Sequence, residues 1–336
     1  MKVLVTGAGG FIGSNLCESL LKNKFNVRAF VRYNSRQNPG WLADIRNKKL
    51  EVVFGDITDF DSVLHAVEGC DYIYNLAASI SVPYSFKNPQ TFIDTNILGA
   101  LNIFRAASMS KKKIKKIIQI SSSEVYGNDL LKNKKILTEK TITVSESPYA
   151  ATKIASDNLA ISMQKASSIP IVIARPFNTF GPRQSLRAVI PTLITQFLSL
   201  KNSKNKVIKI GNLNTRRDFV YVQDTVEGLM SLMKKNCKPG EVYNICTGKS
   251  FSIKDIIACL IKISKNKPKI QISKVRLRSA DVFDLKGSNK KIYKTNKWQP
   301  KYKNLNGFQK ALKKTYDWFE KDENFKKYLN IKKYNV

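Results

Sequence analysis

The sequence has few of the residues that metal centres and imidazole or thiol catalysts need. Its 336 residues include one histidine and five cysteines, and no two cysteines form a Cys-x-x-Cys pair. His65 lies in an amphipathic stretch without evident partners, so we expect it to be structural or at the surface, and we expect no histidine-based catalysis. The odd number and the scatter of the cysteines are typical of a reducing cytosol and predict no metal site.

Long apolar runs are also missing. No stretch of about 18 apolar residues occurs, which predicts that no part of the chain spans a membrane. The opening residues MKVLVTGAGG lack the apolar region and cleavage site of a signal peptide and are more typical of a first strand. Because 43% of the residues are apolar, the chain can bury a core, and we expect a globular cytoplasmic protein.

Acidic residues are scarce: 25 stand against 58 lysines and arginines, which gives a net charge of +33. A charge of this size can serve nucleic-acid binding. The lysines, however, are spread over many segments, as at 111–116 and 326–334, and few arginines alternate with aromatic residues in the way that reads bases. We therefore favour a solvated basic surface and regard nucleic acid as an improbable partner.

Short apolar runs alternate with helical patterns through the first half of the chain. This alternation predicts βαβ units, a doubly wound parallel sheet with helices on both faces, and hence an α/β fold. Beyond residue 177 the pattern loosens into a smaller lobe. The predicted strands are 2–6, 26–31, 50–56, 71–77, 114–122 and 169–176, and the predicted helices lie near 11–23, 59–68, 90–108 and 147–166. The predicted regions are a body over 1–176, a lobe over 177–320, whose segments can interleave with the body, and a basic tail over 321–336.

A glycine-rich turn follows the first predicted strand. TGAGGFIG places Gly7, Gly10 and Gly13 at G-x-x-G-x-x-G spacing. Gly7 permits a sharp turn, Gly10 lets the backbone approach a pyrophosphate, and Gly13 allows the helix to pack closely on the sheet. The helix that begins at Phe11 and Ile12 offers free N–H groups and the positive end of its dipole. Strand, glycines and helix in this order predict a dinucleotide site.

The end of the second predicted strand bears on the choice of dinucleotide. An acidic residue there usually binds the ribose hydroxyls of NAD, but this chain has Arg32, followed by Asn34, Ser35 and Arg36. Arginines and small polar side chains suit a 2′-phosphate better. The pattern favours NADP and leaves NAD as the alternative.

Later strand ends supply further candidate cofactor contacts. Asp56 and Ile57 follow the third strand, where the adenine ring is expected to pack and the carboxylate can reach its amino group. The backbone after the fourth strand lets the middle of the cofactor pass closely. The residues of that backbone segment are Leu76, Ala77 and Ala78, and Asn96, in the helix near 90–108, is the remaining candidate.

A Tyr-x-x-x-Lys motif supplies the candidate catalytic base. Tyr149 and Lys153 lie one helical turn apart, so both side chains share a face. A tyrosine hydroxyl has a pKa near ~10, and bringing it to about 7 requires roughly 4 kcal/mol of phenolate stabilisation. A neighbouring ammonium and a cationic nicotinamide can supply it. Ser122, at the end of the fifth strand, is expected to share the proton of the substrate hydroxyl with Tyr149.

The motifs TGAGGFIG, LAA, SSSEVYG, YAATK and RPFNTFGPR together resemble those of the extended short-chain dehydrogenases/reductases, in particular the NAD(P)-dependent nucleotide-sugar epimerase/dehydratase family. The resemblance covers residues 1 to about 320. It implies a Rossmann-type domain, a smaller C-terminal lobe for a nucleotide sugar, and a tightly bound NAD(P) that is regenerated in each turnover. Family members usually dimerise through two helices per subunit, which match 90–108 and 147–166.

Glu124 narrows the reaction that the resemblance implies. The family's 4-epimerases normally have no carboxylate at this position, whereas its 4,6-dehydratases and UDP-glucuronate decarboxylases do. The pair Ser123-Glu124 is similar to that of the GDP-mannose dehydratases, which implies that Glu124 acts as both base and acid. We therefore expect a 4,6-dehydratase, with a decarboxylase or a 4-epimerase as alternatives and a non-catalytic dinucleotide-binding scaffold as a remote one.

The expected reaction conserves the redox state of the cofactor. Tyr149 removes the C4 hydroxyl proton as hydride leaves C4, and the resulting ketone acidifies the C5 hydrogen. Glu124 takes the C5 proton and water leaves from C6. The hydride then returns to C6, with a proton delivered to C5. General acid–base help of ~10²–10⁴ is expected from such a group.

Longer strings, among them FVRYNSR, GWL, VPYS and GPRQS-x-RAVIPT-x-ITQ, are similar to those of the nucleotide-N-acetylglucosamine 4,6-dehydratases that begin legionaminic-acid-type pathways. This similarity implies UDP- or GDP-N-acetylglucosamine as substrate. An arginine can bind a diphosphate through two parallel hydrogen bonds. The candidate substrate contacts are Ser79, Tyr84, Asn178, Arg187, Arg217 and Arg278.

Overall fold

The computed structural model describes residues 1–127, 136–202, 205–273 and 284–329. Its regular elements follow the predicted order along the chain. The strands are β1 (Lys2–Thr6), β2 (Asn26–Arg32), β3 (Leu50–Gly55), β4 (Tyr72–Asn75), β5 (Lys116–Ile120), β6 (Ile171–Pro176), β7 (Asn178–Phe180), β8 (Val207–Ile210), β9 (Arg216–Arg217), β10 (Phe219–Tyr221), β11 (Val242–Ile245), β12 (Phe251–Ser252), β13 (Lys269–Ile272) and β14 (Asp284–Leu285).

The α-helices vary in length from one turn to five. They are α1 (Phe11–Lys22), α2 (Phe60–Val67), α3 (Val82–Lys87), α4 (Pro89–Phe92), α5 (Gly99–Met109), α6 (Pro148–Ser167), α7 (Val189–Ser199), α8 (Val222–Ser231), α9 (Ile253–Ser264), α10 (Lys290–Asn296), α11 (Leu305–Glu320) and α12 (Asp322–Leu329). Shorter helical turns are the 3₁₀ turns Gly40–Leu42, Ser123–Tyr126 and Leu200–Asn202 and the π-helical turn Ile93–Leu98.

A seven-stranded sheet with the order β11-β6-β5-β4-β1-β2-β3 forms the centre of the molecule. All of its strand pairs are parallel, which confirms the α/β class and the doubly wound sheet. The order reverses between β1 and β4, and ligands of such sheets bind outside the carboxyl ends of the strands at this point. Strand β11 comes from the second half of the chain, so the two halves interleave at the β6 edge.

The core lies on both faces of this sheet because successive side chains of a strand point to opposite sides. In β1, Val3 and Val5 pack into one apolar cluster and Leu4 into the other. The first cluster contains buried residues of α1, α7, α8, α9 and α11, and the second contains residues of α2, α5 and α6. Strands buried on both faces explain why the sequence of β1 is almost continuously apolar.

The helix predicted near 90–108 is interrupted. Helix α4 continues into the π-helical turn Ile93–Leu98 before α5 begins at Gly99. Such turns insert an extra residue and often mark functional positions. Here the turn contains Asn96, whose buried side chain binds the backbone of Ser79.

The segment predicted as a basic tail begins as helix α12, and residues 330–336 lie outside the described part of the chain. Tyr328 of this helix is only 4% exposed. Its ring lies 5.8 Å from that of Trp41 and 5.1 Å from that of Phe319. The described part of α12 therefore packs on the body.

Across the described ranges, no helix is both long and apolar enough to cross a membrane. The same ranges contain no group of three or more histidine, cysteine, aspartate or glutamate residues placed to hold a metal ion. The five cysteines are free and buried.

Candidate active site

The glycine turn has the close packing that its sequence predicts. Gly7 has a φ of +64°, a conformation that favours glycine. A Cβ on Gly13 would lie 2.3 Å from the carbonyl oxygen of Gly7, so only glycine fits there. Gly10 is the N-cap of α1 and has no side chain to satisfy the amides of the first turn. These amides and the dipole of α1 form a site suited to a pyrophosphate.

The backbone after β4 lies beside this turn. A Cβ on Gly7 would be 3.0 Å from the amide nitrogen of Ala77. The Thr6 hydroxyl donates to Asn75 Oδ1 at 2.7 Å and accepts from the Ala77 amide at 3.0 Å. These bonds hold the half-buried residues Leu76, Ala77 and Ala78 at the sheet edge, where the middle of a dinucleotide is expected to pass.

The loop after β2 carries the predicted ribose-end residues. Arg32, Ser35 and Arg36 are exposed, and Asn34 is half-buried. The Asn34 side-chain amide donates to the Asn38 carbonyl oxygen at 3.0 Å and its oxygen accepts from the Asn38 amide at 3.0 Å. These bonds order the loop and leave both arginine side chains available at the surface.

Asp56 and Ile57 follow β3, as predicted. Asp56 Oδ1 accepts hydrogen bonds from the amide and the hydroxyl of Thr58, at 2.9 and 2.8 Å. Ile57 is buried against Gly99, where a Cβ would come within 2.9 Å of its side chain. The turn therefore fixes one carboxylate oxygen of Asp56, and Ile57 supplies an apolar wall.

We expect Gly13→Ala to abolish cofactor binding, because the added Cβ collides with Gly7 O and must push α1 away from the phosphate turn. Titration with NAD and NADP, followed by protein fluorescence, should show a loss of affinity of about a hundredfold or more, since 1.4 kcal/mol corresponds to a factor of ten. Gly69→Ala is the matched control. Its φ of +75° also strains alanine, but nothing lies within 4 Å of the new Cβ. Unchanged affinity in Gly13→Ala would contradict the assignment of this turn.

Tyr149 and Lys153 lie in the first two turns of α6, and both are buried. Ser147 caps the helix by accepting from the Ala150 amide at 3.1 Å, and Pro148 occupies the first turn. The Lys153 ammonium donates to the Ile120 carbonyl oxygen at 2.8 Å, which ties α6 to the end of β5. Ser122 follows that strand end, and its hydroxyl acts to lower the pKa of Tyr149.

Burial dominates the electrostatics of the tyrosine–lysine pair. Burial raises the pKa of Tyr149 to about 12, with the Glu124 charge raising it further and the Ser122 hydrogen bond opposing this. Burial lowers the pKa of Lys153 to about 8. Reaching a tyrosine pKa of about 7 then requires roughly 7 kcal/mol, since one pKa unit is 1.36 kcal/mol. A cationic ring beside Tyr149 fits this demand, and an oxidised nicotinamide is such a ring.

Glu124 lies in the 3₁₀ turn Ser123–Tyr126 directly after β5. The Ser122 hydroxyl accepts from the Glu124 amide at 3.2 Å and so caps this turn. Ser123 is buried, whereas Glu124 is half-buried, and its charge acts on Tyr149. The turn thus holds a carboxylate whose charge raises the pKa of Tyr149.

The loop after β4 closes over the same site. Asn96 accepts from the Ser79 amide at 2.8 Å and donates to the Thr152 hydroxyl at 3.0 Å, so it joins this loop to α6. The role of Asn96 seen here is to fix the loop and the helix. Tyr84 is 42% exposed, and its ring lies 6.3 Å from that of Phe92. The Phe92 ring is in turn 6.2 Å from the Tyr149 ring, so Phe92 lies in ring contact with both tyrosines.

The predicted substrate contacts of the second half are only partly brought together. Asn178 heads β7, and its side-chain oxygen is buried without a hydrogen-bond partner in the described residues. Strand β10 pairs with β7, which places the segment after Arg217 beside Asn178. Arg217 is half-buried, whereas Arg187 is exposed at the surface. Arg278 lies outside the described residues.

Two buried aspartates at this site were missed by the sequence reasoning. Asp218 accepts from the Thr247 amide and hydroxyl, at 2.9 and 2.6 Å, and so fixes the strand next to Arg217. Asp157 forms an ion pair with Arg175, with Nη2 and Oδ2 3.0 Å apart. Its position one turn after Lys153 on the same helix face was a signal that could have found it.

Comparison with known proteins agrees with this geometry. The family model described as GDP-mannose 4,6 dehydratase matches residues 4–311. The chain belongs to this family. The dTDP-D-glucose 4,6-dehydratase of Homo sapiens is 30% identical over 99% of this chain and 93% of its own length. A structure of the UDP-glucuronic acid 4-epimerase from Bacillus cereus, in complex with UDP-glucuronic acid and NAD, is 31% identical with a TM-score of 0.81, covering 95% of this chain and 99% of its own.

A third relative, the low-salt glycan biosynthesis protein Agl12 of Haloferax volcanii, is 34% identical over 75% of this chain and 79% of its own length. These comparisons confirm the expected resemblance at the level of nucleotide-sugar dehydratases and epimerases with a Rossmann-type fold. The narrower N-acetylglucosamine branch stays a prediction, as do the roles of the individual site residues.

Proposed function

We propose that the protein is a nucleotide-sugar 4,6-dehydratase that converts UDP- or GDP-N-acetylglucosamine to the 4-keto-6-deoxy sugar. The observation that carries this proposal is Glu124, whose carboxylate acts on Tyr149 within a site that also contains Ser122 and Lys153. A carboxylate beside the base serves no step of simple oxidation at C4. Removal of the C5 proton and loss of water from C6 both need one.

Each residue of the site has a proton to hold or move. Tyr149 accepts the C4 hydroxyl proton, and Ser122, whose hydroxyl acts to lower the pKa of Tyr149, shares that proton with it. Lys153, held by the Ile120 carbonyl oxygen, stabilises the phenolate. Glu124 accepts the C5 proton and donates a proton to the leaving C6 hydroxyl. A bound nicotinamide dinucleotide supplies the reversible hydride acceptance that the chain itself lacks.

The cofactor proposal is NADP, with NAD as the alternative, and it depends on the exposed arginines after β2. Arg32→Gln is expected to weaken NADP binding about tenfold and leave NAD binding unchanged, because a surface contact to the 2′-phosphate contributes about 1–2 kcal/mol. Arg46→Gln, another exposed arginine past the same strand, is the control. Equal affinity of the unaltered protein for NAD and NADP would contradict the 2′-phosphate contact.

The substrate proposal combines Asn178, whose buried side-chain oxygen has no partner among the described residues, with Arg217 for the diphosphate. Ser79 and Tyr84 are proposed to line the hexose side, and the N-acetylglucosamine assignment rests on the sequence strings alone. We further propose a cytoplasmic homodimer formed through the helical segment α4–α5 and helix α6. Ile93 and Leu98 of that segment are exposed apolar residues, which an interface would cover.

Mass spectrometry of products tests the reaction and the nucleotide together. The purified protein is incubated separately with UDP- and GDP-N-acetylglucosamine, and loss of one water without net cofactor reduction is the expected result. Turnover of UDP-glucuronate alone, with carbon dioxide release, would favour a decarboxylase. The similarity to a UDP-glucuronic acid 4-epimerase makes an isomeric product of unchanged mass the other outcome to examine.

A further inference from the structure

Asp157 is a buried carboxylate to which the proposed reaction gives no role. It lies on α6, one turn after Lys153, and is 2% exposed. Its Oδ2 accepts from the Ser121 hydroxyl at 2.9 Å and from Arg175 Nε at 3.1 Å. Its Oδ1 is buried without a partner in the described residues. Burying a carboxylate with an unsatisfied oxygen is costly, so a compensating function is expected.

The bonds of Asp157 connect the elements that hold the reacting groups. Ser121 precedes Ser122 at the end of β5, and Arg175 lies on β6. Asp157 itself is on α6, which carries Tyr149 and Lys153. The Asp157 carboxylate therefore joins the end of β5, where Ser122 lies, to helix α6, which carries Tyr149.

The same carboxylate pairs with one buried cation, Arg175, and lies one helical turn from another, Lys153. Lys153 is 4% exposed and Arg175 is 6% exposed. Arg175 also donates to the Tyr126 hydroxyl at 3.2 Å, and that hydroxyl donates to Asn244 Oδ1 at 2.7 Å. Without Asp157 the two cations would lack a compensating charge on α6, which a low-dielectric interior penalises strongly.

We propose that Asp157 is a positioning residue, which holds Ser121 and Arg175 against α6 and so fixes the helix that carries Lys153 and Tyr149 relative to the ends of β5 and β6. This inference rests on the proposed function to the extent that Tyr149 is its base. The groups that face Asp157 are Ser121 from β5, Arg175 from β6, and Lys153 with Tyr149 from α6.

Two further acids lie around this group without touching Asp157. The Glu124 charge acts on Tyr149 from the 3₁₀ turn. Glu139 accepts from the Asn244 amide at 2.9 Å, and its charge acts on Arg175 and Tyr126. Burial lowers the pKa of Lys153, and the Asp157 charge acts against this lowering.

The charge of Asp157 raises the pKa of Lys153 and that of Tyr149. It lies one turn from Lys153 but two turns from Tyr149, so the effect on the lysine is larger. Asp157→Asn therefore lowers both pKa values, and the lysine's more. The Tyr149–Lys153 pair then loses its first proton at lower pH. That proton comes more often from Lys153 than from Tyr149, so a smaller fraction of the protein has the Tyr149 phenolate beside a charged lysine.

The pH dependence of single-turnover cofactor reduction, measured with the holoenzyme and the nucleotide sugar, tests this inference. For Asp157→Asn we expect the acid limb to move down by about one pH unit and the plateau rate to fall about tenfold. Asp157→Glu retains the negative charge, so the acid limb of its pH–rate profile should stay at the wild-type position. The matched control is Asp224→Asn, another buried carboxylate, which accepts from the amides of Lys301 and Tyr302.

A second variant and a second measurement make the test independent of the folding of Asp157→Asn and of the substrate. If Asp157→Asn does not fold, the double variant Asp157→Asn/Arg175→Met is measured, because removing both charges of a buried pair is tolerated better than removing one. The acid limb of its pH–rate profile should lie near the wild-type position, and its plateau rate should be lower. Ultraviolet difference titration of the NAD(P) complex, with Tyr149→Phe as the blank, reports the phenolate without any substrate. Failure of every nucleotide sugar to reduce the cofactor would refute the proposed function, whereas a phenolate titration unchanged by Asp157→Asn would overturn the role of Asp157.

Discussion

Tyr149→Phe is expected to slow cofactor reduction by ~10²–10⁴, because the variant has no group to accept the C4 hydroxyl proton. The change removes one hydroxyl from a buried ring, and the contact between the rings of Phe92 and Tyr149 can persist. The fold should therefore survive. Stopped-flow absorbance at the reduced nicotinamide band, under single-turnover conditions, measures the step.

Tyr74→Phe is the matched control for this variant. Tyr74 is also fully buried, and its hydroxyl donates to the Leu229 carbonyl oxygen at 3.3 Å. Its loss costs about 1 kcal/mol of stability and should leave the rate unchanged. A Tyr149→Phe enzyme that reduces its cofactor at the wild-type rate would remove Tyr149 from the role of base.

Glu124→Gln is expected to separate the two halves of the reaction. Hydride transfer from C4 should stay within about tenfold of the unaltered rate, because Tyr149, Ser122 and Lys153 are intact. Loss of water should fall by ~10²–10⁴, since glutamine neither accepts the C5 proton nor donates one to the C6 hydroxyl. The reduced cofactor should then accumulate in the first turnover, and mass spectrometry should show no dehydrated product.

Glu124→Gln is also expected to change the pH dependence of C4 oxidation. The Glu124 charge raises the pKa of Tyr149, so its removal should ease formation of the phenolate and move the acid limb of C4 oxidation to lower pH. Glu227→Gln, which breaks a surface pair with Lys301, is the control. Dehydration at an undiminished rate in Glu124→Gln would show that the reaction assignment is wrong.

The central sheet could be predicted because its strands are buried on both faces and so read as apolar runs. Each strand predicted in the first half of the chain is present. The short strands of the lobe could not be predicted in the same way. Arg217 in β9 pairs with Phe251 in β12, and strands of two residues have no periodicity to read.

The catalytic motif was predictable within α6 because helical spacing alone places Tyr149 and Lys153 on one face. The bond from Lys153 to the Ile120 carbonyl oxygen and the network of Asp157 with Arg175 depend on how α6 packs against β5 and β6. Those contacts join residues distant in the chain. Only the position of Asp157 relative to Lys153 was visible in the sequence.

The basic run at 111–116 is another case in which contacts with distant residues could not be predicted from the sequence. It was interpreted as part of a solvated surface, yet its residues make structural contacts. Lys112 and Lys115 form ion pairs with Asp71, each at 3.1 Å. Lys116 is buried and donates to the Cys237 carbonyl oxygen at 2.8 Å. The acceptors of these bonds are remote in sequence, so composition could not reveal them.

The most direct test of the account follows the hydrogen at C4. UDP- and GDP-N-acetylglucosamine carrying deuterium at C4 are each incubated with the purified protein, and the product is analysed by mass spectrometry and proton NMR. The account predicts a product that has lost one water, carries the deuterium at C6 and leaves no reduced cofactor. Deuterium retained at C4 of an isomerised sugar, or transferred permanently to the cofactor, would contradict it.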